Sequence, residues 1–143
     1  MPQQFGVRIT DWAADEDALR AVRRAVFIVE QGVPENLEWD EVDRRCAHAL
    51  AVDSRARPIG CGRLLPDGHI GRMAVLADWR GRGVGAALLL RLVELAREAG
   101  HPRAILNAQV SAVPFYARYG FAVTGEAFEE AGILHRVMAR SLR

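Results

Sequence analysis

The sequence contains no lysine: all 19 of its basic residues are arginine. That excludes a Schiff-base lysine and the GxxxxGK[ST] phosphate loop, which needs one. Cysteine is scarce as well. Cys46 and Cys61 fit no CxxC or metal spacing. With residues 54–57 as a turn, Asp53 falls opposite Pro58, and Cys61 opposite Leu50 rather than Cys46, so both read as reduced core thiols. Net charge is only +1, so no overall field recruits nucleic acid or an anionic membrane. Long apolar runs are missing, the longest being Val84–Leu90, far too short for a bilayer. The opening MPQQFGVRIT lacks the basic and apolar regions of a signal peptide. A cytoplasmic protein is expected, without nucleic-acid or membrane partners.

What is present is ordinary globular composition: 143 residues, 50% hydrophobic and 26% charged, enough for one domain around one core. Phe5–Trp12 alternates like a strand. Asp15 is placed to cap a helix in which Leu19, Val22, Val26 and Val29 recur at helical spacing until Gly32. Pro34–Arg45 is acidic and irregular. Cys46–Asp53, Pro58–Leu65 and Ile70–Leu76 read as strands, the first two antiparallel neighbours. Gly83–Ala99 is the strongest helix, with Val84, Leu88, Leu92 and Leu95 on one face. Ala104–Val110 is a strand, and Ser111 is placed to cap a short helix that ends at Gly120. Phe121–Phe128 and Ile133–Ala139 complete the order β-α-β-β-β-α-β-α-β-β, a mixed α/β architecture.

The stretch RGRGVGAALL, residues 80–89, sets three glycines at alternate positions beside Arg80 and Arg82, directly before leucines. A helix start leaves several amide N–H groups unpaired and partly positive, which suits a phosphate group. Gly81, Gly83 and Ala86 satisfy GxGxxA, yet a dinucleotide fold wants an acidic residue ending the next strand, where this chain has Asn107 and Gln109. The simplest alternative is a flexible surface turn.

Arg80-x-x-Gly83-x-Gly85 resembles the [QR]xxGx[GA] acetyl-coenzyme A loop of the GNAT acetyltransferase superfamily. Phe115-Tyr116-x-x-x-Gly120-Phe121 is similar to the FYxxxGF segment downstream in that superfamily. The resemblance covers nearly the whole chain; Glu30-Gln31, GRMAV, NAQ and GILHRVM resemble its small bacterial ElaA-like branch. It implies a mixed, mostly antiparallel sheet flanked by helices, whose fourth and fifth strands splay apart. Pantetheine would lie in that slot along Met73, Ala74 and Val75. The coenzyme diphosphate would meet Arg80, Gly81, Arg82, Gly83, Val84, Gly85 and Ala86. Gln109 stands where relatives carry a coenzyme-contacting asparagine, and Tyr116 takes the place of the general-acid tyrosine.

Transfer to an amine also needs a base, because a free alkylamine has a pKa near ~10.4. His48 and His135 are candidates, each with a structural role as the alternative. Glu38, Asp40 and Asp43 could attract a cationic acceptor or be a solvated face. Asn107 joins Glu38, His48 and His135 as a candidate acceptor-site residue. No metal site is expected. The leading expectation is an acetyl-coenzyme A-dependent N-acetyltransferase acting on a small-molecule or peptide amine. A non-catalytic coenzyme A module and a dinucleotide-binding oxidoreductase are the alternatives, and a homodimer is left open.

Overall fold

The computed structural model describes residues 4–143; residues 1–3 of the N-terminal stretch lie outside them. Seven strands form one sheet: β1 (Phe5–Thr10), β2 (Ala47–Asp53), β3 (Pro58–Leu64), β4 (His69–Val75), β5 (Arg103–Gln109), β6 (Ala122–Glu130) and β7 (Ile133–Ser141). Their order is β1-β2-β3-β4-β5-β7-β6. Only β4 and β5 pair in parallel, so the expected mixed, mostly antiparallel sheet is what forms.

Helices cover both faces. Ala49 and Ala51 of β2 face Leu88 and Leu92 of α3 (Val84–Glu98), while Leu50 between them faces Leu19 and Val22 of α1 (Trp12–Arg23). Two-sided burial explains why β2 and β3 read as nearly continuous apolar or small runs instead of alternating. Helix α3 sits very close to β3: a Cβ on Gly62 would lie 2.8 Å from Leu92 Cδ1. Among the described residues no helix is long and apolar enough to cross a membrane.

Several local expectations shift. Helix α1 begins at Trp12, because Asp11 has the extended backbone of an N-cap and its Oδ1 accepts the Ala14 N–H at 2.8 Å. Asp15 instead receives Arg8 and Thr10, 2.6 and 2.5 Å away. After Arg23 the helix widens into a π-helical segment, Arg24–Glu30, where the Gln31 N–H reaches back to the Val26 carbonyl. That extra residue per turn breaks the expected stripe: Phe27 turns inward and Val29 is 76% exposed. Pro34–Arg45 is more ordered than expected, carrying α2 (Glu35–Glu38) and a 3₁₀ turn, Glu41–Arg45. Cys61 does pair with Leu50, but a bulge puts Pro58 opposite Val52 rather than Asp53. Ser111 lies inside a 3₁₀ turn and caps nothing; α4 (Val113–Arg118) follows with Pro114 in its first turn.

Candidate active site

The strands β4 and β5 stay together for only two residue pairs, His69–Ile105 and Ile70–Leu106. Beyond Ile70 they diverge, and a cleft of about 510 Å³ opens between them. Strand β4 bends there: Gly71 lies opposite Arg63 but Ala74 opposite Cys61, so β4 holds one extra residue. Arg72 in this bulge has φ +48, left-handed backbone that a residue with a Cβ rarely adopts. Its side chain is anchored opposite, with Nη2 donating to the Glu38 carbonyl at 3.3 Å and Nε 3.3 Å from the Glu38 carboxylate.

Beyond the bulge, the backbone of Val75 turns away from β3. The Leu76 N–H donates to the Ile59 carbonyl at 2.9 Å, which makes Leu76 and Ile59 a hydrogen-bonded pair. Antiparallel pairs alternate, so Val75 opposite Gly60 is a non-bonded pair whose N–H and C=O point away from β3. The Val75 carbonyl accepts Arg80 Nε on that side at 3.0 Å.

The glycine loop follows. Gly81 and Gly83 have φ +75 and +86, so both need glycine conformationally, and a Cβ on either would point into open space. Gly83 is the N-cap of α3 with no side-chain cap, and the first intrahelical bond runs from Ala87 N–H to the Gly83 carbonyl. The amides of Val84, Gly85 and Ala86 therefore have no intrahelical acceptor. Gly85 plays another part: a Cβ there would meet Phe115 Cζ at an ordinary 3.5 Å. Arg82 extends over Trp79, 5.2 Å from the ring centroid. Arg80 is already engaged, both its Nη atoms donating to Glu30 at 2.6 Å.

Tyr116 of α4 lines the cleft. Its ring packs edge-on against Phe115 and Phe121, and burial pushes the phenol up to about 12. It is a protonated hydroxyl at neutral pH. Asn107, Gln109, Met73 and His135 line the same cleft. Gln109 is tied to Gln31 at the end of the π segment, its Nε2 donating to Gln31 Oε1 at 2.9 Å.

The acidic stretch behaves differently from expectation. Glu38 and Asp43 are buried and take hydrogen bonds from Arg23 at 2.8 and 2.7 Å. Asp40 accepts two from Arg63, at 2.9 and 3.1 Å. Burial alone would raise the Asp40 carboxyl, and the Arg63 guanidinium overrides it and holds it below its ordinary value. Three arginines thus neutralise three acids, and the cluster is an internal ion network. His48 is corrected too: it is buried beside Trp12 with Nε2 2.9 Å from the Asp43 carbonyl, and is not among the residues lining the cleft. Burial lowers its pKa and favours a neutral ring. The roles of Arg23, Arg63 and Arg72 escaped sequence reading, since arginines spread over three elements, α1, β3 and β4, carry no local pattern. The one available signal was a run of acids too dense to leave unpaired beside apolar strands.

The sequence matches the acetyltransferase (GNAT) domain family over residues 12–142. It is 39% identical over 123 residues to the uncharacterised N-acetyltransferase YjcF of Bacillus subtilis, covering 83% of this chain and 87% of that one. The fold superposes on Escherichia coli ElaA with a TM-score of 0.86 and 27% identity, over 96% of this chain and 100% of ElaA. An acyl-CoA N-acyltransferase from Pseudomonas aeruginosa gives the same TM-score at 28% identity, with the same coverage of both chains. The dinucleotide-binding alternative falls with this result and with the antiparallel strands that precede the glycine loop. The chain belongs to the GNAT acetyltransferase family, and is an acyltransferase whose donor is acetyl-coenzyme A or another acyl-coenzyme A.

Proposed function

We propose that this protein is an N-acetyltransferase that moves an acetyl group directly from acetyl-coenzyme A to a primary amine of a small molecule or peptide. The observation that carries this reading is the cleft between β4 and β5, lined by the β4 bulge from Gly71 to Met73 and by Tyr116, with the Val75 backbone just beyond it turned away from β3. In this reading pantetheine runs along Met73–Val75 like an added strand. The diphosphate meets the amides of Val84, Gly85 and Ala86, with Arg82 the nearby cation that no carboxylate holds among the described residues. Arg80 acts mainly by holding the loop to β4, given its bonds to Glu30 and Val75.

The neutral amine attacks the thioester carbonyl, and the Val75 N–H is the backbone donor best aimed to stabilise the resulting oxyanion. The C–S bond then breaks and the thiolate is protonated from the Tyr116 hydroxyl. A phenol near 12 is a weak acid for an ordinary thiolate, but the same water-poor slot also raises the pKa of the departing thiol. Direct transfer is favoured over an acyl-enzyme because neither cysteine lines the cleft, and burial pushes Cys46 and Cys61 up to about 11 and about 12. A non-catalytic coenzyme A module would have no use for a protonated hydroxyl at the slot floor. The test is a thiol-release screen of acetyl-coenzyme A against amines and peptides. Thiol release that depends on an amine is expected, and a protein that binds coenzyme A but acetylates nothing would refute the reading.

A further inference from the structure

We infer that His135 is the general base of the transfer, with Glu130 as the carboxylate that steadies its charged form. This rests on the acetyltransferase reading above and adds the group that reading lacks. The other acidic and imidazole groups of the cleft are committed elsewhere. Asp40 is held by Arg63 and lies 3.6 Å from Arg72. Asp67 folds back on its own turn, accepting the His69 N–H at 3.0 Å, with His69 Nδ1 also at 3.0 Å. That pair sits at the closed end of the cleft, where β4 still touches β5.

His135 is placed differently. Its Nδ1 lies 2.7 Å from the Ile133 carbonyl, an acceptor only, so Nδ1 carries the proton and the neutral ring keeps its lone pair on Nε2. The ring is stacked on Phe128 with centroids 5.8 Å apart, which fixes its plane. Nε2 is 3.7 Å from Glu130 Oε2, and both residues line the cleft. His135 also pairs with Gln109 of β5, and both line the cleft together with Met73 of the splayed part of β4. The charged groups facing this volume are Glu130 from β6, Arg72 from β4, Arg63 from β3 and Asp40, with Tyr116 from α4.

His135 Nε2 takes one proton from the acceptor ammonium, and the freed lone pair forms the C–N bond at the thioester carbonyl. The C–S bond breaks with its electron pair on sulfur. The nitrogen's second departing proton ends on that sulfur through the Tyr116 hydroxyl, and the imidazolium releases its proton to solvent.

The experiment measures kcat/KM for the best amine of the screen in wild type, His135→Gln and Glu130→Gln, from below the histidine range to near the amine's own pKa of ~10.4. Coenzyme binding is followed in parallel by thermal shift. His135→Gln is expected to lose about 10²–10⁴-fold near neutrality. The deficit should shrink as pH rises and the amine deprotonates unaided, with coenzyme binding unchanged. Glu130 is half exposed, so Glu130→Gln should fold normally, and it should lose part of the His135-dependent rate near neutrality while coenzyme binding holds. A His135→Gln profile parallel to wild type, or no loss at all, overturns the assignment. If His135→Gln does not fold, a Glu130→Gln rate identical to wild type near neutrality overturns it instead. A wild-type protein that binds acetyl-coenzyme A and acetylates no amine sinks the acetyltransferase reading and this one together, whereas an active wild type with indifferent variants sinks this one alone.

Discussion

Glu30 and Arg80, fifty residues apart in the chain, meet in a two-pronged ion pair with both N–O distances at 2.6 Å. The pair joins the end of the π-helical segment to the start of the glycine loop, and Arg80 continues to the Val75 carbonyl. Both side chains are more than two-fifths exposed, so water screens the pair and its worth to folding is at most about 1 kcal/mol. Its larger effect falls on charge beside the diphosphate seat. Glu30→Gln should bind coenzyme A roughly threefold more tightly at low salt, with the gain fading as salt rises. Calorimetric titration at two ionic strengths checks this. Weaker binding in the variant would mean that the pair positions the loop.

Gly85 and Gly83 should respond differently to substitution. Gly85→Asp places a carboxylate in the first turn of α3, where the helix dipole welcomes it and Phe115 leaves room. Stability should hold or rise slightly while coenzyme binding is lost. Gly83→Ala forces a Cβ onto φ +86 and should cost about 1–2 kcal/mol of stability. Melting curves with and without coenzyme A separate the two, and a folded Gly85→Asp variant of normal affinity would contradict the proposed seat.

Tyr116→Phe keeps the ring packed against Phe115 and Phe121 and deletes only the hydroxyl. We expect kcat to drop about 10²-fold and coenzyme affinity to stay put, because the hydroxyl is needed only as the C–S bond breaks. The phenol titrates near 12, so the wild-type rate should show no alkaline fall from this group until pH approaches that value. A variant with unchanged kcat, measured where chemistry limits turnover, would leave Tyr116 a packing residue.

Arg23 is 1% exposed and serves Glu38 and Asp43 at once. Arg23→Ala strands two buried carboxylates and should cost about 3–5 kcal/mol, read as a shifted urea midpoint. For the same reason Glu38→Ala and Asp43→Ala are expected to weaken the fold rather than change acceptor KM alone. A mild loss in Arg23→Ala would show that water reaches the network.

Asp15 offers a pH test. Hydrogen bonds from Arg8 and then Thr10 bring its carboxyl down to about 2 from 3.8. A depressed carboxylate contributes stability above its unfolded pKa and loses it as pH falls through the folded one. The difference in stability between wild type and Asp15→Asn should therefore be constant at neutral pH and vanish between about pH 4 and about pH 2. A difference that persists at the acid end would assign the effect to packing.

Legibility from sequence divides along physical lines. The succession of strands and helices along the chain, helix α3 and the glycine loop were readable because apolar runs between turns, 3.6-residue spacing and clustered glycines are local signals. The motif around Tyr116 singled out a residue that does line the cleft. The π segment was not, since Val26 and Val29 keep helical spacing in sequence and only the Gln31–Val26 hydrogen bond reveals the extra residue. The pairing of Glu38, Asp40 and Asp43 with Arg23, Arg63 and Arg72 was hidden for another reason. Long-range partners are chosen by the folded sheet, so an acidic run looks the same whether solvated or buried. His48 and His135 were equivalent as strand histidines, and only the register of β7 against β5 set one beside the cleft.

The lining of the cleft comes from different parts of the chain. Gly71, Arg72 and Met73 of the β4 bulge lead on toward the glycine loop, the part assigned to the donor. Phe27, Gln31 and Asp40 from the segment Arg24 to Arg45, with Glu130 and His135 of the β6–β7 hairpin, line another side. Substitutions in that second set leave the glycine loop and the backbone of Val75 untouched. Descendants of this chain can therefore diversify in what they modify while inheriting one unchanged source of acyl groups, and mutational drift should accumulate in the two sets at unequal rates.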